Sequence, residues 1–355
     1  VAIVIRDGVP LAPFTTLELG GPARHFVDAA DEGAVVEALR WADGRKLPVV
    51  ILGGGSNMVV SDAGFDGLVV RIATRGVRFE TSGGEATVTA AAGEPWDALV
   101  AEAVGRGLGG VECLSGIPGL VGATPIQNVG AYGQEVAETI RVVRVLERGS
   151  GQMRALSPEE CGFGYRESSF KRDPARFVVL AVTFGLRPGA APALRYRELA
   201  ESLAADAHPT LAAARATVLA LRAKKSMLVI AGDPNRRSVG SFFMNPILEA
   251  TQAEAVAARA GEDGARMPRW PASDGRVKLS AGWLIERAGV TKGLRRGPVG
   301  VSSAHALALV HHGGGTTDAL IALAQEIREA VRTRFGVTLV PEPTFVGVAG
   351  NLAPG

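Results

Sequence analysis

From Leu114 to Gly133 no residue carries a formal charge, although Asp, Glu, Lys and Arg make up 21% of this 355-residue chain. The core of the run reads Ser-Gly-Ile-Pro-Gly-Leu-Val-Gly-Ala-Thr-Pro-Ile-Gln-Asn-Val-Gly-Ala-Tyr-Gly, residues 115–133. Its glycines and prolines rule out a membrane-spanning helix, and Gln127 and Asn128 are too polar for plain core. Gly116, Gly119, Gly122, Gly130 and Gly133 leave main-chain N–H groups uncovered by side chains. Such a backbone can press against a flat or anionic group. The fold must therefore keep a long ordered loop, either as buried structure or, as long ordered loops more often serve, against a large cofactor.

Length gives a soft expectation of about two or three domains. A hydrophobic content of 47% is ample for a buried core. The net charge of +2 offers no basic stripe and aromatic residues are only 5%, so nucleic-acid binding is not the expected activity. Cys113 and Cys161 are the two cysteines, without a CxxC pair or a His/Cys cluster. No metal site is expected, and a reducing compartment suits them better than a disulfide. No leader pattern is read at the N-terminus, and no apolar run approaches the ~18 residues of a membrane span. The expectation is a cytoplasmic protein, without membrane insertion, working as a monomer on small molecules.

Along the chain, Asp31 caps an expected helix to about Lys46, and Pro48–Leu52 reads as a strand ending in Gly53-Gly-Gly-Ser-Asn57. A strand pair near Met58–Ser61 and Gly67–Ile72 closes that unit. Arg78–Glu80 and Ala86–Ala92 read as strands joined at Gly83-Gly84. Pro95 opens a helix to about Arg106, and Arg141–Glu147 and Phe177–Gly185 alternate as strands. Helices are expected over Thr210–Lys224, Gln252–Ala260 and Leu279–Ala288, and a strand over Ala306–Val310. A long amphipathic helix begins at Thr316 or Thr317 and stops at Gly336. Val337–Val340 and Thr344–Val346 are read as terminal strands.

Each candidate site has an ordinary reading. A triple glycine after a strand is usually a tight turn, and this one is neither a Walker A loop nor a GxGxxG fingerprint. Arg166 can be one more arginine paired with Glu167 or Asp173. Ser241 has no neighbouring His and reads as a strand-end hydroxyl. Glu342 reads as a solvated terminal carboxylate, although Pro341 and Pro343 restrict its backbone. His311 and His312 read as turn-flanking surface residues, since adjacent strand residues point to opposite sides.

Taken together, Leu52-Gly-Gly-Gly-Ser-Asn57, Gly64-Phe-Asp-Gly-Leu68, the 115–133 run, Cys161-Gly-Phe-Gly-Tyr-Arg-Glu-Ser-Ser-Phe-Lys171, Gly240-Ser-Phe-Phe-Met-Asn-Pro246, Ala281-Gly-Trp-Leu-Ile285 and Leu339-Val-Pro-Glu-Pro343 are more specific. In these motifs and their order the chain resembles the UDP-N-acetylenolpyruvoylglucosamine reductase family, flavoenzymes that complete UDP-N-acetylmuramate for bacterial peptidoglycan. The resemblance implies an α+β chain with a two-subdomain FAD-binding fold of the vanillyl-alcohol-oxidase type and a C-terminal substrate domain. The implied boundaries are 1–72 with 336–355, 73–225, and 226–335.

The same resemblance implies site roles. FAD would lie against Gly53, Gly54, Gly55, Ser56, Asn57, Ser115, Gly116, Ile117, Pro118, Gly119, Gly122, Ala123, Gln127, Asn128, Gly130 and Ala131. NADPH would give hydride to the flavin, and the reduced flavin would pass it to the methylene carbon of UDP-N-acetylglucosamine enolpyruvate. Arg166 and Glu342 would stabilise the enolate and Ser241 would protonate it. Tyr165, Tyr196, Lys225, Asn245 and His305 would contact substrate. Tyr196 would belong to the family's tyrosine clamp, although Arg197 follows it where the family usually has Gly. Lys224 is an equal candidate to Lys225 for the diphosphate. Two rivals remain at this level: an FAD oxidase of the same broad fold acting on another alcohol or sugar, and a flavoprotein that binds without turnover.

Overall fold

The structure is a computed structural model that describes residues 3–82 and 84–348. Gly83, expected at a hairpin turn, lies outside the described residues. The chain divides into two compact units. The first is Val1–Val9, Ala23–Gly54 and Asp66–Leu228; the second is Pro10–Pro22, Gly55–Phe65 and Val229–Gly355. The triple glycine therefore straddles a unit boundary, with Gly53 and Gly54 in the first unit and Gly55 in the second.

Among the described residues the first unit holds two larger sheets, besides the two-stranded pairing of Gly130–Ala131 with Gln134–Glu135. One runs Arg6–Pro10, Pro22–Ala29, Phe65–Ile72, Val49–Leu52, with the last two parallel from Val49↔Leu68 to Leu52↔Arg71. The helix Glu32–Asp43 precedes Val49–Leu52; Asp31 caps it by accepting from the Ala34 N–H at 2.8 Å. Its Val35, Ala38, Leu39 and Ala42 are buried at helical spacing.

The second sheet has six strands. Phe177–Pro188 lies at its centre, antiparallel to Ile140–Glu147 on one side and Glu85–Ala91 on the other. Residues 178–182 of the central strand are buried without interruption, as a strand covered on both faces requires. In Glu85–Ala91 burial alternates, with Ala86, Val88 and Ala90 inward. Gln152–Leu156 and Val77–Ser82 form the edges. The core collects Trp96, Leu99, Val100 and Phe184, and each such side chain stabilises the fold by about 1.5–3 kcal/mol when fully buried.

The second unit is built on the helix Thr317–Phe335. Thr316 caps it by accepting from Ala319 N–H at 3.1 Å, and Gly336 ends it at φ +72° with its N–H on Arg332 O. Leu320, Leu323, Ala324, Ile327, Val331 and Phe335 are buried in a core with Phe242, Phe243, Leu284 and Ile285. A four-stranded sheet runs Ser238–Ser241, Ala308–His311, Val299–Val301, Arg295–Arg296. A smaller sheet joins Ile247–Leu248, Val277–Leu279 and Arg269–Pro271.

Two pairings differ from the sequence expectation. Met58–Val60 and Phe65–Ile72 are not partners: the first pairs in parallel with Thr344–Val346, and the second with Val49–Leu52. Residues 61–64 therefore carry the chain from one sheet to another rather than closing a hairpin. Val337–Val340 is not a strand; its last carbonyl accepts from Met244 N–H at 2.9 Å, beside the single bridge Phe243↔Pro341.

Candidate active site

The uncharged run is closed at its ends. Cys113 N–H donates to Gln134 Oε1 and Gln134 Nε2 donates to Glu112 Oε1, both at 2.8 Å. Inside the loop, Gly130–Ala131 pairs with Gln134–Glu135. Tyr132 and Gly133 form the turn, both at positive φ, as a type I′ hairpin demands. Residues 116–120, 126, 127 and 129–132 are half-buried, an unusual state for so long a stretch without charge.

The two glycine segments singled out in the sequence meet inside the first unit. A Cβ on Gly54 would stand 2.9 Å from Gly119 Cα, and one on Gly53 would find only Leu120 Cδ1, at 3.9 Å. Main chain thus approaches main chain, with open space beside Gly53. This fits a flat, charged cofactor laid on peptide groups. Gly122 serves packing instead, since a Cβ there would sit 2.5 Å from Ala92 Cβ. Ser115 is fully buried with its hydroxyl donating to Glu112 O at 2.6 Å. Ile117, Pro118, Ala123 and Gln127 stay half-buried on the loop.

Arg166 is part of a tight turn closed by Gly164 and Glu167, whose N–H and C=O groups pair at 3.0 and 3.2 Å. Its φ of +54° is one that Gly or Asn usually adopts. A β-carbon is strained there, so the surroundings must hold it. Lys171 Nζ donates to Arg166 O at 2.9 Å, and Arg166 Nη2 donates to Gly130 O at 2.7 Å. The guanidinium carbon is 5.5 Å from the Tyr165 ring centre.

Asn128, buried and at φ +42°, braces this turn. Its Nδ2 donates to Gly164 O and to Glu135 Oε2, and its Oδ1 accepts from Ala137 N–H. These bonds commit its amide to the protein; its main-chain carbonyl accepts from Arg166 at 3.5 Å.

Tyr196 lies at the start of the helix Arg197–Ser202 and is 40% exposed. Its ring meets Tyr132 edge-on at 5.2 Å. Lys225 Nζ stands 5.9 Å from the Tyr132 ring and 6.0 Å from that of Tyr196, and donates to Glu198 Oε2 at 2.5 Å. Lys224 is exposed. Of the two lysines that sequence left equal, Lys225 is the one beside the tyrosines. Burial lowers its pKa, but Glu198 and the two phenols outweigh this and raise it, so the ammonium stays charged.

In the second unit, Ser241 ends a bulged strand. Ser238 faces Val310 and Ser241 faces Ala308, so three steps match two, with Gly240 at φ +74° taking up the extra residue. A bulge of this kind re-aims the side chain that follows it. Glu342 is half-buried between buried Pro341 and Pro343. Its N–H donates to Phe242 O at 2.9 Å, which ties the Glu342 segment to the residue after Ser241.

Asn57 belongs to the same neighbourhood: its O accepts from Thr344 N–H at 2.9 Å and its Nδ2 donates to Glu342 O at 3.4 Å. Gly55 is forced by close approach, since a Cβ there would lie 1.9 Å from Phe14 O. Ser56 beside it is half-buried. Asn245 Oδ1 accepts from Ala281 N–H at 2.9 Å, at the start of a helix. His305 Nδ1 accepts from Leu307 N–H at 3.1 Å.

His311 corrects the surface reading. It is 6% exposed, with Nδ1 at 3.0 Å from Leu17 O and Nε2 accepting from Gly315 N–H. A strand end buried by the Leu17 segment accounts for it. Burial pushes the Cys113 and Cys161 thiols up to about 12, so both stay protonated. Among the described residues, no cluster of His, Cys, Asp or Glu could hold a metal, and no helix is long and apolar enough to cross a membrane.

Sequence reasoning missed three groups: buried Glu112 with Gln134, Tyr132 against Tyr196, and Asp97. Asp97 accepts from Gly116 N–H at 2.6 Å and forms a two-pronged pair with Arg215 at 2.6 and 2.8 Å. A signal was present for the first, because Glu112 and Gln134 flank the uncharged run.

Comparison with known proteins covers both parts of the chain. Residues 23–157 match a family described as FAD binding domain, and residues 233–346 match the UDP-N-acetylenolpyruvoylglucosamine reductase C-terminal domain. The UDP-N-acetylenolpyruvoylglucosamine reductase of Saccharopolyspora erythraea is 52% identical over 354 residues, covering 96% of each chain. That of Streptomyces coelicolor is 50% identical over 347 residues, covering 96% of this chain and 90% of the relative. The crystal structure of UDP-N-acetylenolpyruvylglucosamine reductase from Thermus caldophilus superposes with a TM-score of 0.67 at 26% identity, over 97% of this chain and 99% of that one.

Proposed function

This chain belongs to the UDP-N-acetylenolpyruvoylglucosamine reductase family, and from that premise we propose that it reduces UDP-N-acetylglucosamine enolpyruvate to UDP-N-acetylmuramate at the expense of NADPH. It is an FAD-dependent oxidoreductase, an α+β chain with an FAD-binding domain and a C-terminal domain, and its reduction serves peptidoglycan synthesis. When bound, FAD supplies the hydride relay from NADPH to the enolpyruvyl methylene carbon. The domain boundaries proposed from the resemblance are residues 1–72 with 336–355 and 73–225 for the flavin, and 226–335 for the substrate.

The protein's own groups do the rest. Peptide groups of residues 53–57 and 115–131 hold the cofactor, and their lack of charge suits a ligand that brings its own. Arg166 stabilises charge developing on the substrate carboxylate and enol oxygens, where a fixed guanidinium is stronger than water. Glu342 assists at the enol, and the Ser241 hydroxyl gives its proton to the neighbouring carbon. A serine hydroxyl is a weak acid, so it acts only on a strongly basic enolate and is reprotonated through water. Tyr165, Tyr196, Lys225, Asn245 and His305 contact the sugar nucleotide, with Lys225 on the diphosphate as a point charge.

The observation that most supports this reading is the tie between the Ser241 and Glu342 segments through the Phe242 carbonyl. Two groups far apart in sequence are held on adjoining main chain, as joint action on one substrate requires. The test is an absorption spectrum of the purified protein, followed by NADPH with and without the enolpyruvyl substrate. The expected result is a yellow protein that NADPH bleaches and the substrate recolours. A protein that NADPH bleaches and only oxygen recolours contradicts the assigned substrate.

A further inference from the structure

Tyr196 stands at the end of a segment without regular structure, residues 190–195, yet its backbone is held. Glu112 and Cys113 do the holding. Glu112 is 1% exposed, and its Oε1 accepts from Ala193 N–H and from Gln134 Nε2, both at 2.8 Å. Its Oε2 accepts from Gly110 N–H at 2.7 Å. Cys113 Sγ donates to Ala193 O at 3.2 Å, and its thiol stays protonated. Both main-chain polar groups of Ala193 are therefore fixed by two consecutive residues.

Two residues on, Arg195 Nη1 donates to Gly133 O and to both oxygens of Glu138, at 3.3, 2.9 and 3.0 Å. A Cβ on Gly133 would stand 2.9 Å from Arg195 Cβ, so the two segments touch. One buried carboxylate thus clasps both the closing end of the uncharged run and the root of the tyrosine segment. Three N–H donors meeting a buried carboxylate is a rigid arrangement, because the charge cannot turn to water.

We propose that Glu112 is a positioning residue for substrate binding: it sets the register between the Tyr132 hairpin and the Tyr196 segment, so that the two rings face one ligand. This rests on the reading of Tyr196 as a substrate contact. Glu112 itself touches no substrate and acts through Ala193 and Gln134. Removing it frees the segment, lowers the fraction of enzyme ready to bind, and weakens apparent affinity by that fraction. Chemistry after binding is left largely intact.

The test uses the flavin-loaded full chain. Glu112→Ala removes all three acceptor contacts; Glu112→Gln keeps the volume but turns an amide N–H₂ toward at least one N–H donor. The Gln variant carries the test if the Ala variant is isolated without flavin. Expected are a rise in KM for the enolpyruvyl substrate of about ten-fold for Ala and about three-fold for Gln, with kcat down by less than about three-fold. Flavin reduction at saturating NADPH stays within about two-fold of wild type. Hydrogen exchange across residues 190–196 speeds up, and Cys113→Ala shows a smaller version of the same change.

With Tyr196→Phe as background, Glu112→Gln adds little further loss, because both act at one place. Unchanged KM in the Glu112 variants, or losses that simply add to that of Tyr196→Phe, overturns the proposal. Unchanged KM in Tyr196→Phe alone overturns the substrate role of Tyr196 instead. Faster exchange over 190–196 in the Glu112 variants tells that outcome apart from a failure of Glu112 as anchor.

Discussion

The uncharged run of the first unit and the Ser241–Glu342 neighbourhood of the second solve different problems. In the run, backbone is the proposed working surface: Gly54 meets Gly119 main chain to main chain, and Asn128 braces the Arg166 turn. Around Ser241 and Glu342, backbone is the clamp, and the side chains are what it presents: a bulge precedes the serine and two buried prolines bracket the glutamate. The first arrangement suits a large ligand that stays. The second suits groups that must act on a ligand that comes and goes. Arg166 shares features of both: a charged side chain, proposed to act on substrate, in the first unit on a strained turn tied to the run's own carbonyls.

The largest effects should come from the groups proposed to react. Arg166→Lys loses the fork that donates to Gly130 O while keeping the charge, and kcat should fall about 10²–10³-fold with flavin content unchanged, as read by steady-state assay and absorbance at the flavin band. If backbone is the working surface of the run, the reverse pattern belongs to Gly54. Gly54→Val drives a branched side chain into Gly119, and should lower flavin content and destabilise the fold by about 1–3 kcal/mol in a denaturant titration.

A finer effect separates the two lysines. Lys225→Ala should raise KM for the sugar nucleotide about ten-fold, whereas Lys224→Ala should stay within about two-fold, because only Lys225 stands beside both tyrosines. The smallest effect lies at the entry to the run. Burial pushes the Asp97 pKa up, but the Arg215 fork and the Gly116 N–H outweigh burial and hold it below the ordinary carboxylate value. A depressed folded pKa contributes stability above the unfolded value and loses it as pH falls through the folded one. The melting-temperature gap between wild type and Asp97→Asn should therefore be constant above about pH 5 and close below about pH 4.

What was legible in the sequence follows from where each signal resides. The helix Thr317–Phe335 was readable because its cap, its apolar period and its stopping glycine are all local. The 115–133 run was readable because so long a stretch without charge is rare on a half-buried surface. Strands Arg6–Pro10 and Pro22–Ala29 went unread: Arg6, Asp7, Arg24, His25 and Asp28 mask the alternation, and only non-local pairing defines them. Met58–Val60 finds its parallel partner at Thr344–Val346, too far along the chain to leave a local trace. For Glu112 the sequence held only its place beside the uncharged run; its role as an acceptor stayed hidden, since its three donors come from residues 110, 134 and 193. Ser241 and Glu342 carry no spacing signal at all; only the family's motifs pointed to them.

The division between holding the cofactor and delivering the proton is tested most directly by a stopped-flow separation of the two half-reactions in Ser241→Ala. Flavin loading should be normal and NADPH reduction within about two-fold of wild type, with reoxidation by the enolpyruvyl substrate slowed by at least about 10²-fold. Reoxidation at the wild-type rate contradicts the proton-donor role of Ser241. Loss of the NADPH step in the same variant contradicts the separation of cofactor holding from proton delivery.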